Sequence, residues 1–283
     1  MSIVPLHPVM YEELVRCALR EDLGRGGDLT TDAVVPAAAT TTARIVSRVD
    51  GRVAGVAVAA ATFRMLDPSA QVRTVIPDGN DVAPGGVVAE ISGSARALLS
   101  AERTALNLLA RMCGVASLAR AYARAVEGTG TRVVCTRKTT PGLRVLEKYA
   151  VRCGGGSNHR FGLDDAVLIK DNHVALAGGV RTAVELARAA VGHTVKVELE
   201  VDTLEQLAEA LELGVDAVLL DNMHPPTLRE AVRLVDGRAV TEASGGVTLD
   251  TVAEVAATGV DLVSVGALTH SATALDLSLE IAI

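Results

Sequence analysis

The chain has 283 residues and a formal net charge of -7, with 49% hydrophobic residues, only 2% aromatic residues and no Trp. An acidic chain with few aromatic rings lacks the basic face and the stacking platforms that nucleic-acid binding uses, which argues against that class of function. The apolar content suffices for a large core of Ala, Val and Leu, which suits tightly packed α/β layers.

The cysteines and the N-terminal segment indicate the compartment. No C-x-x-C pair occurs among the scattered cysteines, which argues against a zinc site or a disulfide framework and favours a reducing environment: Cys17, Cys113, Cys135 and Cys153. The N-terminus lacks a basic segment followed by an apolar one, and no apolar run approaches the length of a membrane span. We therefore expect a soluble, cytoplasmic protein without a membrane or nucleic-acid partner.

The N-terminal third predicts a mixed α+β domain. Residues 8–23 show the spacing of an amphipathic helix, and residues 95–125 predict a long one. Between them, alternating segments punctuated by Gly and Pro predict antiparallel strands over residues 43–49, 51–58, 72–76 and 86–91.

From residue 133 onward, short apolar runs that end in polar residues alternate with helical stretches. The runs predict strands over residues 133–135, 166–169, 195–201, 217–220, 239–240 and 262–265. Helices are predicted over residues 180–191, 204–213, 227–235 and 249–257. Alternation of β and α at a spacing of about 20–25 residues predicts a parallel sheet. Several repeats without a dinucleotide fingerprint favour a closed barrel over an open sheet.

Polar residues follow each of these predicted strands. They are Thr136-Arg137-Lys138, Lys170-Asp171-Asn172, Glu200-Val201-Asp202, Asp221-Asn222, Ser244-Gly245-Gly246 and Gly266-Ala267. The active site of an α/β barrel lies at the C-terminal ends of its strands. Any one of these groups alone is best explained as a solvated loop start, but the six together favour a site.

Residues 136–173 concentrate cationic side chains within an acidic chain. They are Arg137, Lys138, Arg144, Lys148, Arg152, His159, Arg160, Lys170 and His173. The same stretch holds three glycines, at 154–156, whose backbone amides suit an anion. This local excess predicts a pocket for a small, highly negative ligand. Three of the cations, at 144, 148 and 152, recur at helical spacing and equally suit an ordinary solvated surface.

Two glycine turns suggest where phosphate binds. Ser244-Gly245-Gly246 and Gly266-Ala267 follow the last two predicted strands, the position at which many barrel enzymes bind phosphate through backbone amides. A single such turn is explained equally well by a need for positive φ. The pair, one repeat apart, favours phosphate.

Carboxylates lie on the neighbouring strands. Glu198 and Glu200 alternate with apolar residues, so both face the same side of their strand. Glu200 lies nearer the C-terminal end, and Asp221 ends the next strand. Because adjacent strands are about 5 Å apart, these two carboxylates are placed to share a ribose or a hydrated magnesium ion. The role of Glu198 stays open.

Lys170 follows the strand predicted over residues 166–169 and has two possible roles. A buried barrel lysine can form a Schiff base, and it can equally serve as a permanent cation for an anionic substrate. His159 and Arg160 are suited to charge-assisted bonds with carboxylates, bidentate in the case of the arginine. The cationic surroundings favour both roles of the lysine, so its chemistry stays open at this point.

Several specific segments resemble a known family. Residues 136–144 read TRKTTPGLR, residues 158–160 read NHR and residues 169–173 read IKDNH. Upstream, residues 101–107 read AERTALN, and downstream, residues 261–268 read DLVSVGAL. Over nearly its whole length the sequence resembles the quinolinate phosphoribosyltransferase family.

The resemblance implies both an activity and an architecture. The activity is conversion of quinolinate and 5-phosphoribosyl 1-pyrophosphate (PRPP) to nicotinate mononucleotide, pyrophosphate and CO2, a step of NAD biosynthesis. The architecture is an incomplete α/β barrel with an N-terminal α+β sandwich, in a homodimer with shared active sites. We expect the sandwich over residues 1–108, the barrel over 109–274 and a C-terminal segment, 275–283, packed on the sandwich. A related enzyme acting on another small anionic acceptor is the alternative.

The resemblance also implies roles for individual residues. It assigns quinolinate binding to Arg103, Thr136, Arg137, Lys138, His159, Arg160 and Lys170. Arg103 is expected to contribute to the active site of the other subunit of the dimer. It assigns PRPP binding to Lys138, Lys170, Glu200, Asp221, Ser244, Gly245, Gly246, Val265, Gly266 and Ala267. Catalytic roles fall to Lys138, Lys170, Glu200 and Asp221. Magnesium is expected to arrive with PRPP, near Glu200 and Asp221, with no protein ligand assigned.

Overall fold

The computed structural model describes residues 3–281. A short 3-10 helix, Pro8–Met10, precedes the α-helices. These are α1 (Glu12–Leu23), α2 (Leu29–Val34), α3 (Val56–Leu66), α4 (Ala95–Ala125), α5 (Arg144–Cys153), α6 (Asp171–Ala177), α7 (Val180–Ala190), α8 (Leu204–Glu212), α9 (Pro225–Val235), α10 (Val252–Ala256) and α11 (Ala267–His270). The strands are β1 (Thr40–Ser47), β2 (Gly51–Arg52), β3 (Gln71–Thr74), β4 (Asp81–Val82), β5 (Val87–Ser94), β6 (Arg132–Val134), β7 (Val167–Ile169), β8 (Val197–Val201), β9 (Ala217–Asp221), β10 (Val240–Ser244), β11 (Leu262–Ser264) and β12 (Leu277–Ile281).

The chain forms two compact units. The antiparallel-sheet unit comprises the chain up to residue 120, residues 139–155 and the chain from residue 268 onward. The parallel-sheet unit comprises residues 121–138 and 156–267. The domain boundaries expected from the sequence stay a prediction.

The antiparallel-sheet unit is built on a sheet of strand order β12-β1-β5-β3. The C-terminal strand β12 pairs with β1, from Ala43 opposite Ile281 to Ser47 opposite Leu277. Residues 282 and 283 of the C-terminal segment lie outside the described residues. The core is aliphatic, with one aromatic ring at Phe63, and its largest members are fully buried: Ile45, Phe63, Ile91, Leu98 and Leu109.

Helix α4 spans the residues predicted for it, 95–125. Its buried positions recur at spacings of three and four, which gives one continuous apolar stripe: Leu98, Ala101, Ala105, Leu109 and Met112. Charged residues interrupt the sequence between these positions. Within the part of the chain that the structure describes, no helix is both long and apolar enough to cross a lipid bilayer.

The parallel-sheet unit contains a six-stranded sheet of order β6-β11-β10-β9-β8-β7 in which every pairing is parallel. The ladder is barrel-like but not closed between β6 and β7 in the described residues. Beside β6, only an isolated bridge from Val134 to Ser157 extends the sheet. The predicted fold class, an incomplete α/β barrel with a separate antiparallel domain, is confirmed, whereas the closed barrel favoured by the repeat pattern alone is wrong.

The parallel arrangement places all six strand ends at one edge of the sheet, which we call the carboxyl edge. The register sets Ser244 of β10 directly beside Asp221 of β9. Glu200 of β8 and Glu242 of β10 both pair with Leu219 of the strand between them, so their side chains share one face of the sheet. The predicted meeting of strand-end polar groups therefore follows from topology.

Most predicted strands are shifted at their ends by a few residues, and two predictions differ from the structure more substantially. Residues 51–58 were expected as one strand, but α3 begins at Val56, after Gly55 with φ 99°. The Asp78 carboxylate accepts a hydrogen bond from the Val56 amide at 3.1 Å and caps this Ala-rich helix from a distant loop. Strand β10 was expected over residues 239–240 but spans Val240–Ser244. The apolar run ends at Val240, whereas the strand continues through buried polar residues, Thr241 and Glu242.

Candidate active site at the carboxyl edge of the parallel sheet

The segment after β6 presents the first cations. The Lys138 amide donates to the Thr136 hydroxyl at 3.0 Å, which forms a tight turn directly after the strand. Thr136 is half-buried, and Arg137 and Lys138 are exposed. The turn therefore projects two cationic side chains from the carboxyl edge.

Arg160 lies close enough to Arg137 for their charges to interact. Burial lowers the pKa of the Arg160 guanidinium, and the positive charge of Arg137 lowers it further. The Arg160 Nη1 atom donates to the carbonyl oxygen of Ala166 at 2.8 Å, which fixes the side chain just before β7. Two guanidinium groups whose positive charges act on each other favour a ligand that carries more than one negative charge.

Lys170 and Glu200 form an ion pair at the ends of β7 and β8. The Lys170 Nζ atom donates to Glu200 Oε2 at 2.7 Å. Schiff-base formation requires the neutral amine, whereas a salt bridge to a carboxylate is a contact of the charged form. Of the two roles that the sequence left open, this contact favours the permanent cation.

His159 lies against two carboxyl groups of the inner face. Its Nε2 atom is 3.0 Å from Glu198 Oε2 and 3.6 Å from Glu242 Oε2. Burial raises the pKa of Glu242 to about 7, and the charge of Glu198 adds to the increase. The sequence left Glu198 undecided and assigned no role to Glu242.

The turns after β9 and β10 interlock. The Asp221 carboxylate accepts from the Asn222 side-chain amide at 2.6 Å, and the Asn222 backbone amide donates to the Ser244 carbonyl at 2.9 Å. Gly245 has φ 98°, and a Cβ atom there would collide with the Asn222 side chain. Gly246 also has positive φ, 61°, but faces open space. The close approach of the two turns thus requires glycine at 245.

The segment after β11 is positioned by a buried backbone hydrogen bond and leads into α11. Val265 is 2% exposed, and its amide donates to the Val134 carbonyl at 2.9 Å, so this residue anchors the segment to β6. Gly266 and Ala267 are half-buried, and α11 begins at Ala267. Phosphate binding at these two residues and at the turn after β10 stays a prediction.

Comparison with known proteins identifies the family. The profiles of the quinolinate phosphoribosyl transferase N-terminal and C-terminal domains match residues 28–113 and 115–280. The chain belongs to the quinolinate phosphoribosyltransferase family.

Named relatives match nearly the whole chain. The probable nicotinate-nucleotide pyrophosphorylase (carboxylating) of Bacillus subtilis strain 168 is 42% identical over 276 residues, which cover 98% of this chain and 95% of that protein. The crystal structure of NadC from Streptococcus pyogenes has a TM-score of 0.95 at 39% identity and covers 99% of both chains. The structure of the nicotinate-nucleotide pyrophosphorylase from Francisella tularensis has a TM-score of 0.95 at 36% identity, covering 100% of this chain and 99% of that one.

Within this quinolinate phosphoribosyltransferase, the predicted site residues divide between the two units. All except Arg103 belong to the parallel-sheet unit. Arg103 is an exposed residue of α4, in the antiparallel-sheet unit. Its role across a dimer stays a prediction.

One of the cations assigned to a solvated surface is buried. Lys148 lies on α5 and is only 2% exposed, whereas Arg152 is exposed. The expectation of a solvated surface is therefore wrong for Lys148. The reason is that α5 buries most of its residues, including the charged Glu147, which is 0% exposed.

Sequence reasoning missed Glu242 because it ended β10 too early. The strand of the preceding repeat, β9, has five residues. A prediction that gave β10 the same length would have included this glutamate. Its position on β10 would then have placed it on the inner face with Glu200, two residues before the strand end.

Proposed function

We propose that the carboxyl edge of the parallel sheet binds quinolinate and PRPP next to each other and transfers the phosphoribosyl group to the quinolinate nitrogen. The activity is that of a decarboxylating quinolinate phosphoribosyltransferase, a pentosyltransferase of NAD biosynthesis, and its products are nicotinate mononucleotide, pyrophosphate and CO2. The observation that carries the assignment of the site is the ion pair of Lys170 and Glu200, 2.7 Å apart across the ends of β7 and β8, together with Arg137 and Arg160, whose positive charges act on each other. Two guanidinium groups whose charges act on each other suit the two carboxylates of one planar acid.

The quinolinate side consists of Thr136, Arg137, Lys138, His159, Arg160 and Lys170. Arg137 and Arg160 bind the carboxylates, and the turn that Thr136 makes with the Lys138 amide aims the neighbouring cations. Fixed cations in a water-poor site reduce the repulsion between a dianion and the more highly charged PRPP. Arg103 from a partner subunit completes this side in a homodimer.

The PRPP side consists of Lys138, Lys170, Glu200 and Asp221 with the backbone of residues 244–246 and 265–267. The glycine turns offer amides to phosphate oxygens. Glu200 and Asp221 face the ribose. Lys170 is paired with Glu200 at 2.7 Å and thereby links the two sides.

The chemistry requires positioning and electrostatics rather than a protein nucleophile. The ring nitrogen of quinolinate forms a bond to the anomeric carbon, and the bond to pyrophosphate breaks with its electron pair. Positive charge develops on the ribose, where the carboxylates of Glu200 and Asp221 stabilise it. The ribosylated nitrogen is cationic and attracts the electron pair left when the adjacent carboxylate departs as CO2, and that carbon then takes up a proton.

Magnesium enters as part of the substrate, bound to PRPP. Carboxylate oxygens suit this hard cation, and Asp221 and Glu200 are carboxylates at the ends of adjacent strands. Glu200 is already bound to Lys170, so we assign no direct protein ligand. The bound ion neutralises charge on pyrophosphate.

The test is an absorbance assay for nicotinate mononucleotide formed from quinolinate and PRPP, with and without magnesium. We expect turnover that depends on magnesium and on both substrates, and none when nicotinate replaces quinolinate. Equal turnover of nicotinate would contradict the assignment of two carboxylate-binding arginines. Gel filtration tests the homodimer, and cell fractionation tests the expected cytoplasmic location.

A further inference from the structure

Glu198 and Glu242 form a buried acid pair around one imidazole nitrogen. Their side chains are 11% and 2% exposed, and His159 is 13% exposed. One atom from each of the three side chains lies within 4.8 Å of the others. Two acids so close together in a poorly solvated place share charge or a proton, since two full charges there would repel strongly.

The backbone determines which nitrogen of His159 carries the proton. The Arg160 amide donates to His159 Nδ1 at 2.7 Å, so Nδ1 presents its lone pair. The ring proton is then on Nε2, which faces Glu198 at 3.0 Å. A metal ion on Nε2 would require a proton on Nδ1, directed at the Arg160 N–H, so this contact argues against a cation site.

The second acid, Glu242, has a different environment from the first. Its Oε1 atom is buried and has no hydrogen-bond partner within residues 3–281. Glu198, His159 and the Ser264 hydroxyl face this carboxyl group, and the charge of Glu198 also acts on Arg160. A neutral carboxylic acid removes the cost of burying a second charge and supplies one proton for the pair.

We propose that Glu242 is a positioning residue: as a neutral acid it donates its proton to Glu198, and the two carboxyl groups together hold the His159 ring, and with it Arg160, in place for quinolinate. The inference rests on the proposed function, in which His159 and Arg160 belong to the quinolinate side. It adds to that function a support made by two residues of the inner sheet face.

The acid pair also determines the charge beneath the quinolinate cations. With one shared proton the pair carries a single negative charge, and Arg137 and Arg160 outweigh it. Because the pKa of Glu242 is raised to about 7, the pair gains its second negative charge as the pH rises through that value. Quinolinate, a dianion, then binds less well, whereas PRPP binding at the glycine turns changes little.

Two substitutions at 242 separate the role of the proton from that of the side-chain volume. Glu242→Gln keeps the shape and a donor for Glu198, and Glu242→Leu keeps the volume and removes the donor. We expect the KM for quinolinate of the wild type to rise about tenfold from about pH 6 to about pH 9, and that of Glu242→Gln to stay nearly flat. We expect Glu242→Leu to raise this KM about tenfold at every pH, with the KM for PRPP unchanged.

Nitrogen NMR of the His159 ring gives a readout that does not depend on turnover. We expect a neutral ring with its proton on Nε2 in the wild type and in Glu242→Gln. A proton on Nδ1, or identical pH profiles of wild type and Glu242→Gln, would overturn the inference even if Glu242→Leu failed to fold. Absence of wild-type turnover would overturn the proposed function instead, and the ring tautomer would still test the acid pair.

Discussion

Lys170 on the segment after β7 and Glu200 on β8 hold each other across the strand ends, with Nζ 2.7 Å from Oε2. The Glu200 side chain is 12% exposed and the Lys170 side chain 48% exposed, so the lysine lies on the solvent side of a largely buried carboxylate. A cation assigned to both substrates is thus tied to the carboxylate that we propose faces the ribose. Removing either member changes the net charge of the site.

Replacing Lys170 with Ala removes a cation and leaves Glu200 as an unbalanced negative charge at the proposed binding site of two anionic substrates. We expect kcat/KM to fall by about 100-fold or more for both substrates. The matched control is Lys196→Ala. Lys196 directly precedes β8, at the opposite end of that strand from Glu200. It pairs with Asp216 at 2.5 Å, and its side chain is 76% exposed. Steady-state kinetics that decline equally in both variants would contradict a site at the carboxyl edge.

Arg137→Ala tests the quinolinate side. The change removes one of the two guanidinium groups proposed to bind the carboxylates, so we expect the KM for quinolinate to rise at least about tenfold with an unchanged circular dichroism spectrum. Arg132→Ala serves as the control, because Arg132 is an exposed arginine at the opposite end of β6. An unchanged KM and turnover in Arg137→Ala would show that the assignment is wrong.

The two adjacent glycines after β10 allow a paired test of the phosphate turn. Alanine at either position is strained by positive φ, by about 1–2 kcal/mol. Only alanine at Gly245 also displaces the Asn222 side chain. We therefore expect Gly245→Ala to raise the KM for PRPP more than Gly246→Ala does, and to lower the melting temperature more. Equal effects in kinetics and in thermal unfolding would mean that the interlocked turns are unimportant.

Glu147 is the centre of a buried network in the antiparallel-sheet unit. Its carboxylate accepts hydrogen bonds from the Thr140 amide at 3.0 Å, the Thr140 hydroxyl at 2.8 Å and Arg111 Nη2 at 2.7 Å. Glu147→Ala removes the acceptor of the Thr140 amide and the negative charge that balances Arg111, which keeps its bonds to the Thr269 and Ala272 carbonyls, so we expect a loss of about 3–5 kcal/mol in the free energy of unfolding.

Denaturant titration measures this loss, with Glu185→Ala as its control. Glu185 lies on α7 with its side chain 66% exposed, 3.9 Å from Arg181, and we expect its loss to cost less than about 0.5 kcal/mol. A small effect of Glu147→Ala would imply that water or another side chain replaces the lost acceptor.

The acid pair also makes stability depend on pH. The pKa of Glu242 is raised in the folded state from 4.5 to about 7, so the folded protein binds more protons than the unfolded chain between these values. The stabilising contribution is present below the unfolded value and is lost as the pH rises through the folded one. We expect the free energy of unfolding to fall on the order of 3 kcal/mol across this window relative to Glu242→Gln. A difference between the two proteins that is independent of pH would contradict the raised pKa.

Hydrophobic periodicity predicted the elements in which buried side chains recur at a constant spacing. Helix α4 was predicted over its full extent because buried residues recur at three and four positions from Leu98 to Met112. The meeting of strand-end groups such as Asp221 and Ser244 also followed, because parallel strands share one carboxyl edge.

Features fixed by distant partners could not be predicted in this way. Helix α3 begins where the Asp78 carboxylate reaches the Val56 amide, 22 residues away in sequence. Glu242 lies in a strand whose polar residues obscure the apolar signal, and its partner Glu198 is on another strand. The burial of Lys148 likewise depends on what packs over α5, which a helical spacing alone does not reveal.

The pairing of β12 with β1 has a consequence for biosynthesis. Strand β1 ends at Ser47, but the partner that covers its edge begins at Leu277, after the whole parallel sheet has been translated. Until then a nascent chain exposes the main-chain groups along that edge of β1, the kind of surface that recruits strands from other chains. We therefore expect chaperones to bind the nascent chain at β1. We also expect truncation before residue 277 to leave this edge exposed and to promote aggregation.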